Sequence, residues 1–290
     1  MQVKTNLYLI DGNAYIYRAF YAIKGLSSSK GLPTNAIYGF TNMLMKIIKD
    51  KKPDYLAVTF DAKGPTLRHK EFDEYKAHRP KMPEDMAVQI PYIYRIVEAF
   101  NIPVVVKEGY EADDLIGTIV KKAEKEGIEE VIIISGDKDM MQLITDITYV
   151  YDPMRDKVYK GDYVLERFGV EPSRLVEIMG LMGDSSDNIP GIPGIGEKTA
   201  ASLIAEFDNI ENLLENLENV KKTKLRESLK HHRDLARLSR RLATIIIDAP
   251  IDINLIDFKL SPPNKPELIK ILMELEFKRL LKIFSSETIN

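Results

Sequence analysis

Cysteine is absent from this 290-residue chain, and histidine occurs only four times. The lack of cysteine excludes disulfide bonds and thiolate metal sites, and it fits a cytoplasmic location without requiring one. The four histidines are scattered along the sequence, so a zinc centre is not expected. Any metal that this chain binds should therefore have oxygen ligands, which favours magnesium or manganese.

Long apolar stretches are missing as well. No run approaches the length of a membrane-spanning helix, and the amino-terminal residues lack the layout of a secretory signal. The composition, with 44% hydrophobic and 29% charged residues, is ordinary for a globular protein. The length allows one large domain or two modest ones with a substantial core. We therefore expect no association with a membrane.

Apolar runs alternate with helical patterns over the first half of the chain. Residues 5–11, 55–61, 102–106 and 131–135 predict buried strands, and residues 149–151 predict a short fifth. Helices are predicted directly after the first strand, over residues 35–50 and over residues 112–126. This alternation predicts an α/β domain over residues 1–160, with a mostly parallel central sheet and helices on both faces. Residues 161–290 predict a helical region of short helices and loops that closes on an amphipathic helix over residues 264–284.

Nine acidic residues follow apolar runs or stand in short acidic clusters: Asp11, Asp61, Glu111, Asp113, Asp114, Asp137, Asp139, Asp184 and Asp187. The carboxyl ends of parallel strands meet at one edge of a sheet, so the sheet itself should gather several of these side chains. Carboxylates repel one another, and collecting many in one cleft is unfavourable unless cations neutralise them. The pattern predicts a site for two hard divalent metal ions.

Each of these acids has a more ordinary interpretation when taken singly. An aspartate after a strand is usually a helix cap or a turn residue. A phosphatase with an aspartyl nucleophile is a further alternative, but it would need a second acid two positions after the first. The sequence after the first strand reads DGN, which counts against it.

The net charge of −3 hides an uneven distribution. Without the nine acids, 35 acidic residues oppose 41 basic ones. Residues 221–241 hold nine bases and two acids, and residues 63–81 hold six bases and three acids with two aromatic rings. Such segments are often solvated helix faces, but beside an acidic cleft they also suit binding of nucleic acid: cations for phosphates and rings for stacking on bases.

A glycine-rich segment, GIPGIGEKT, spans residues 191–199 and leads into an apolar helix. Glycines let the backbone approach a phosphate, and a helix amino terminus offers free N–H groups. The segment looks like a helix–hairpin–helix element, over about residues 184–210, that would hold duplex DNA by its backbone. An ordinary turn between two helices is the alternative.

Taken together, these motifs resemble the 5′-nuclease family, and specifically the 5′–3′ exonuclease domain of bacterial DNA polymerase I. Flap endonucleases are more distant relatives. The similarity covers nearly the whole chain, from LYLIDGNAYIYRAF through FDAKGPTLR, EYKAHRP, EADDLIGT, SGDKDMMQL and LMGDSSDNIPGIPGIGEKTA to LATIIID. The resemblance implies a PIN-like 5′-nuclease fold with a helical arch at about residues 63–100. The native-looking start and the Asn290 end, without a tag, favour a free-standing nuclease over an excised domain.

The resemblance also implies roles for individual residues. Asp11, Asp61, Glu111, Asp113 and Asp114 would surround the first of two Mg²⁺ ions, which Mn²⁺ can replace. Asp137 and Asp139 would lie nearby, and Asp184 and Asp187 would define the second ion. Chemistry is expected from Lys76, Arg79, Asp61 and Asp113. The residues expected to contact DNA are Arg18, Arg68, Tyr75, Lys76, Arg79, Gly194, Gly196, Lys198 and Thr199, with a K⁺ ion at the hairpin.

The implied activity is structure-specific hydrolysis of DNA or RNA–DNA at a 5′ end, nick, flap or RNA primer, in replication and repair. The expected protein is a monomer in the cytoplasm, associated with the nucleoid, with a separate DNA polymerase as a partner. Two alternatives remain: a PIN-type ribonuclease, which typically has fewer acids and no hairpin, and a non-catalytic module that binds duplex DNA. Nine carboxylates would weaken binding to a polyanion, so they disfavour the second.

Overall fold

The computed structural model describes residues 5–286, and its centre is one six-stranded sheet. The strands are β1 (Asn6–Asp11), β2 (Tyr55–Thr59), β3 (Val104–Val105), β4 (Glu130–Ile134), β5 (Thr148–Asp152) and β6 (Lys157–Tyr159). Their order across the sheet is β3-β2-β1-β4-β5-β6. All neighbours are parallel except the β5–β6 pair at one edge, which is antiparallel. The predicted mostly parallel sheet is confirmed.

Helices cover both faces of the sheet and form the second half of the chain. The first six are α1 (Gly12–Ala22), α2 (Asn35–Lys51), α3 (Leu67–Glu71), α4 (Glu84–Ala87), α5 (Ile90–Ala99) and α6 (Ala112–Lys125). The remaining ones are α7 (Gly161–Phe168), α8 (Leu175–Met182), α9 (Glu197–Phe207), α10 (Ile210–Glu215), α11 (Thr223–His231), α12 (Arg233–Ala243), α13 (Lys265–Glu274) and α14 (Lys278–Ser286). Short 3₁₀ helices occupy Lys138–Leu143, Pro172–Arg174, Leu217–Asn219 and Leu255–Phe258.

The sheet separates two hydrophobic cores. Successive strand residues point to opposite faces, so Leu7 and Leu9 pack with α6 and the later helices, whereas Tyr8 and Ile10 pack with α1, α2, α5 and α13. Both faces are therefore buried, which explains why the central strands are continuous apolar runs rather than alternating ones. Within residues 5–286, no helix is both long and apolar enough to span a lipid bilayer.

Three predicted elements differ most clearly from the structure. The strand predicted over residues 102–106 is only Val104–Val105, because Pro103 has no N–H to donate to a ladder. The single closing helix predicted over residues 264–284 is two helices, and Glu276 between them adopts a left-handed backbone conformation with φ of 60°. In the segment predicted as a helical arch, α3, α4 and α5 are helical, whereas residues 72–83 form turns and irregular backbone that include Pro80.

Leu9 tests the packing of the central strand. Its side chain is fully buried between β1 and the helices on one face. We expect Leu9→Ala to lower the free energy of unfolding by about 3 kcal/mol, because it removes buried methyl groups and leaves a cavity. Urea denaturation measures this change. Met273→Ala is the control, since Met273 is 63% exposed; an equal loss in both variants would contradict the described core.

Candidate active site

The carboxyl ends of three strands bring together side chains that are far apart in the sequence. Asp11 is the last residue of β1, Asp61 comes just after β2, and Asp137 comes just after β4. The chain leaves β1 toward β2 on one side, while β4 lies on the other side, so the crevice between β1 and β4 is a topological switch point. Ligands of open α/β sheets bind at such a crevice.

The turn after β1 packs closely against Phe60 and begins helix α1. Asp11 caps α1 by accepting a hydrogen bond from the Ala14 N–H at 3.0 Å, and it also accepts one from the Ser135 hydroxyl at 3.1 Å. A Cβ at Gly12 would lie 2.2 Å from the ring of Phe60, so only glycine fits there without displacement. Asn13 donates to Asp61 at 2.7 Å and thereby links the ends of β1 and β2. Asn13 was not among the predicted site residues, although its place in the DGN sequence after the first strand indicated a position at the site.

Seven of the nine predicted acids line one cavity of about 500 Å³ at this crevice. They are Asp11, Asp61, Glu111, Asp113, Asp137, Asp139 and Asp187. Lys76 and Arg79 line the same cavity from the other side. The predicted convergence of carboxylates therefore holds for these seven.

Asp114 and Asp184 do not line this cavity, so the expectation of nine cavity-lining acids was too broad. Asp114 is fully buried behind it and forms a two-point ion pair with Arg68, at 2.8 and 2.7 Å. Asp184 accepts a hydrogen bond from Lys138 at 2.8 Å and one from the Ser186 N–H at 2.7 Å. Cations of the protein itself neutralise both carboxylates, Arg68 for Asp114 and Lys138 for Asp184. Both ion pairs hold segments that carry residues of the cavity.

Burial and the charges of neighbouring acids oppose ionisation of several of the cavity acids. Burial, with the charges of Asp61 and Asp137, raises the pKa of Asp11 to about 6. Burial and the charge of Asp137 likewise raise the pKa of Asp139 to about 8. Burial raises the pKa of Asp113 well above its ordinary value, although Arg68 opposes this shift. A bound cation would relieve this repulsion.

The donor set fits hard divalent cations. One oxygen of Asp139, Oδ1, is buried and has no hydrogen-bond partner within residues 5–286, so it is free to meet a cation. In the same described residues, no group of three acidic or histidine side chains is gathered closely enough to hold an ion by itself. Magnesium retains several water molecules and takes few carboxylates directly, so a wide ring of carboxylates suits it better than a tight one.

Two cations of the predicted arch segment reach into the cavity. The Lys76 ammonium lies 2.7 Å from Glu111 Oε1 and 3.6 Å from Asp187 Oδ2, and Arg79 contacts Asp187 at 2.5 Å. Lys76 adopts a left-handed backbone with φ of 56°, and its N–H donates to the Asp187 carbonyl at 2.9 Å. These contacts hold the segment across the cavity. Burial lowers the pKa of Lys76, but Glu111 and Asp187 outweigh it and raise that pKa overall, so the ammonium stays charged.

Arg68 and Tyr75 were predicted to contact DNA, and the structure places both inside the protein instead. Arg68 is 5% exposed; besides Asp114 it donates to the carbonyls of Leu242 and Thr244. Tyr75 is 2% exposed, and its hydroxyl donates to Glu111 at 3.0 Å. A charged guanidinium buried this deeply must stay paired, so Arg68 is a structural link between the arch segment, α6 and the end of α12.

Arg18 occupies an intermediate position beside the cavity. It pairs with Asp152 at 3.0 Å and packs against Gly136, where an added Cβ would lie 1.7 Å from its guanidinium. The predictions missed Lys138, which pairs with Asp184 and stands between two predicted metal ligands. Its position between two acids in the sequence GDKD could have identified it as a site residue.

The glycine-rich segment connects α8 to α9, where the helix–hairpin–helix element was predicted. Asp184 and Ile189 exchange backbone hydrogen bonds at 2.9 and 2.8 Å, and Gly194 has a positive φ of 83°. An added Cβ at Gly194 or Gly196 would meet nothing within 4 Å, so the backbone is open to approach from outside. Gly196 precedes the first residue of α9 and offers no side-chain cap, which leaves the first N–H groups of that helix available.

Comparison with known protein families agrees with this architecture. Residues 6–169 match the family described as 5′-3′ exonuclease, N-terminal resolvase-like domain. Residues 170–266 match the family described as 5′-3′ exonuclease, C-terminal SAM fold. A 5′-3′ exonuclease of Aquifex aeolicus is 41% identical over 276 residues, which cover 95% of this chain and 94% of that protein. DNA polymerase I of Bacillus subtilis is 44% identical over 286 residues, which cover 97% of this chain.

The chain spans about a third of the length of the DNA polymerase I relatives that it matches. Among solved structures, the 5′-exonuclease of T5 with bound zinc ions has a TM-score of 0.69 and 23% identity, over 83% of this chain and 90% of that chain. The catalytic core of Rad2 in complex with DNA substrate has a TM-score of 0.63 and 18% identity, over 94% of this chain and 88% of that chain. These two likenesses concern the fold alone.

Asp139 makes the stability of the metal-free protein depend on pH. Because its pKa is raised from 3.8 to about 8 on folding, the folded protein keeps this proton to a higher pH than the unfolded chain does. The free energy of unfolding should therefore fall as pH rises between these two values, by about 1.4 kcal/mol for each unit of pKa difference at most. Asp139→Asn should flatten the profile measured by urea denaturation in EDTA.

Asp257→Asn, at an exposed position, is the matched control and should keep the wild-type profile. The electrostatic description of the cavity is wrong if the profile of Asp139→Asn coincides with that of the wild type over this pH range.

Proposed function

This chain belongs to the 5′-3′ exonuclease family, and on that premise we propose that it is a Mg²⁺-dependent 5′–3′ exonuclease and flap endonuclease. It would hydrolyse phosphodiester bonds of DNA or RNA–DNA at a 5′ end, nick, flap or RNA primer. The observation that carries the proposal is the cavity at the switch point, where seven carboxylates face two arch cations. Acidic side chains in such number suit metal-assisted phosphoryl chemistry and would oppose simple binding of a polyanion.

The residues that would hold two Mg²⁺ ions, or Mn²⁺ in their place, are the seven acids of the cavity together with Asp114 and Asp184. Asp11, Asp61, Glu111, Asp113 and Asp114 belong to the proposed first site, with Asp137 and Asp139 nearby. Asp184 and Asp187 belong to the second, although Asp114 and Asp184 are paired with Arg68 and Lys138 in this structure. When bound, such ions lower the pKa of water and neutralise charge on the phosphate and the leaving oxygen.

Lys76 and Arg79 would bind the scissile phosphate. Both line the cavity, and in this structure both pair with carboxylates that would bind the metal ions. Fixed cations in a site that excludes water stabilise charge more strongly than cations in bulk solvent. Asp61 and Asp113 are the proposed catalytic carboxylates, and Asp61 is oriented by the Asn13 amide and by the Ala112 N–H, each at 2.7 Å.

The hairpin would hold duplex DNA by its backbone. Gly194, Gly196, Lys198 and Thr199 surround the amino terminus of α9, where N–H groups and the helix dipole favour phosphate. A K⁺ ion held by main-chain carbonyls is a further proposal for this turn. Arg18 remains a proposed DNA contact because it is partly exposed beside the cavity, while Arg68 and Tyr75 would support the cavity from inside.

Such an activity suits removal of RNA primers and displaced flaps in replication and repair. We propose that the protein acts in the cytoplasm at the nucleoid, as a monomer, with a DNA polymerase as its partner. The identity to DNA polymerase I of Bacillus subtilis supports that partnership. A ribonuclease with a related fold is less favoured, because the hairpin and the arch cations are both present.

Asp61 separates a nuclease from a DNA-binding module. We expect Asp61→Ala to lower cleavage of a 5′-flap substrate with Mg²⁺ by at least about a hundredfold, because it removes a carboxylate from the proposed first metal site. Binding of the same substrate, measured by fluorescence anisotropy in EDTA, should be equal or tighter. Asp257→Ala is the control. Cleavage by Asp61→Ala at the wild-type rate would refute the proposed chemistry.

Lys76 tests the arch. We expect Lys76→Ala to slow the single-turnover cleavage rate at saturating enzyme by about a hundredfold, because it removes a fixed cation from the scissile phosphate. The dissociation constant for duplex DNA should change much less. Lys70→Ala, an exposed lysine of the same segment, is the control. If affinity falls in Lys76→Ala while the single-turnover rate is unchanged, Lys76 only tethers the DNA.

A further inference from the structure

A second cavity, of about 510 Å³, adjoins the catalytic cavity and carries a set of residues that the proposed mechanism does not use. The two cavities share Ala14 and Asp137 as wall residues. We propose that this second cavity binds a phosphate of the nucleic-acid substrate other than the scissile one. The inference rests on the proposed function. Its main residues are Lys138, Arg155, Tyr159, Tyr163 and Arg167.

Two tyrosines form the frame of this cavity. Tyr159 ends the edge strand β6, Tyr163 lies on α7, and their ring centroids are 4.8 Å apart. Each hydroxyl accepts a hydrogen bond from a guanidinium, Tyr159 from Arg155 at 3.5 Å and Tyr163 from Arg167 at 3.2 Å. The Lys157 ammonium lies 4.2 Å from the ring centroid of Tyr163 and adds a third positive charge beside the frame.

Nearby acids neutralise the charges of Arg155 and Arg167 only weakly. Arg155 is 72% exposed and lies 3.8 Å from Asp152, a carboxylate that already accepts from Arg18 at 3.0 Å. Arg167 lies 3.5 Å from Glu197, and both side chains are about half exposed. Exposed pairs of this kind contribute little energy, so either arginine can exchange its carboxylate for a phosphate at small cost.

Lys138 differs, because it is firmly paired with Asp184. Among the described residues, Asp137 is the acid that lines the cavity, and Asp152 and Glu197 are the acids that pair with its arginines.

The position of the cavity indicates a nucleic-acid strand as the source of the phosphate. On one side it shares a wall with the catalytic cavity, and on the other Arg167 reaches Glu197, the first residue of α9 after the glycine-rich turn. Consider a strand that places its scissile phosphate in the catalytic cavity while its duplex contacts the glycine-rich turn. Such a strand would pass Arg155 and Arg167. Guanidinium groups suit phosphate oxygens because they donate two parallel hydrogen bonds.

The test is the double variant Arg155→Ala/Arg167→Ala, compared with wild type on a labelled 5′-flap substrate. We expect its dissociation constant in EDTA to rise about tenfold. The slope of log Kd against log salt should fall by about one for each phosphate that the variant no longer neutralises. With Mg²⁺, the single-turnover rate at saturating enzyme should stay within about twofold of wild type, because the variant leaves the catalytic cavity intact.

Arg95→Ala/Lys270→Ala is the matched control, since it removes a partly exposed and an exposed cation that pair with acids of α13. If the alanine variant does not fold, as judged by thermal unfolding, Arg155→Gln/Arg167→Gln takes its place under the same criteria. Arg155→Lys/Arg167→Lys keeps both charges, so it should recover most of the salt slope, with an affinity between those of the alanine variant and the wild type. Affinity and salt slope no different from those of the control would overturn the proposal.

A substrate with a 5′-hydroxyl and one with a 5′-phosphate distinguish the two sources of the phosphate. Equal weakening on both identifies an internal backbone phosphate, and weakening on the 5′-phosphate substrate alone identifies the terminal one; either result supports the cavity. Wild-type protein that binds DNA but does not cleave it with Mg²⁺ would refute the nuclease activity and leave this binding test intact.

Discussion

Repulsion among the carboxylates at the end of the sheet determines how the surrounding elements are held together. Seven acids share one cavity, where burial and then the charges of neighbouring acids raise the pKa values of Asp11 and Asp139. The protein offsets part of this repulsion with its own cations. Arg68 pairs with Asp114, Lys76 with Glu111, Arg79 with Asp187 and Lys138 with Asp184. Each of these pairs also joins elements that are distant in the sequence.

These ion pairs connect the arch segment, the sheet and the helical half of the chain into one site. Arg68 joins α3 to α6 and, through two carbonyls, to the end of α12. Lys76 and Arg79 reach the hairpin through Asp187, and Lys138 reaches it through Asp184. A metal ion that takes over a carboxylate would therefore release a cation that can meet a phosphate, so metal and DNA would support each other's binding.

Much of this arrangement follows from the sequence. Apolar runs that end in aspartate predict the strands, and parallel strands bring Asp11, Asp61 and Asp137 to one edge. The burial of Arg68 and Tyr75 does not follow, because a segment rich in charge predicts an exposed surface. Only the tertiary structure shows that Asp114 compensates Arg68. The third strand was predicted, but not that only two of its residues would pair. The antiparallel β6 was not predicted, since three residues carry too little periodicity to identify a strand.

The most direct test of the central claim is product mapping on a double-flap substrate labelled at both ends of the flap strand, with and without Mg²⁺. The metal-assisted cavity predicts cleavage near the flap junction only when Mg²⁺ is present, with a 5′-phosphate and a 3′-hydroxyl on the products. Cleavage that persists in excess chelator, or products with a 3′-phosphate, would contradict it.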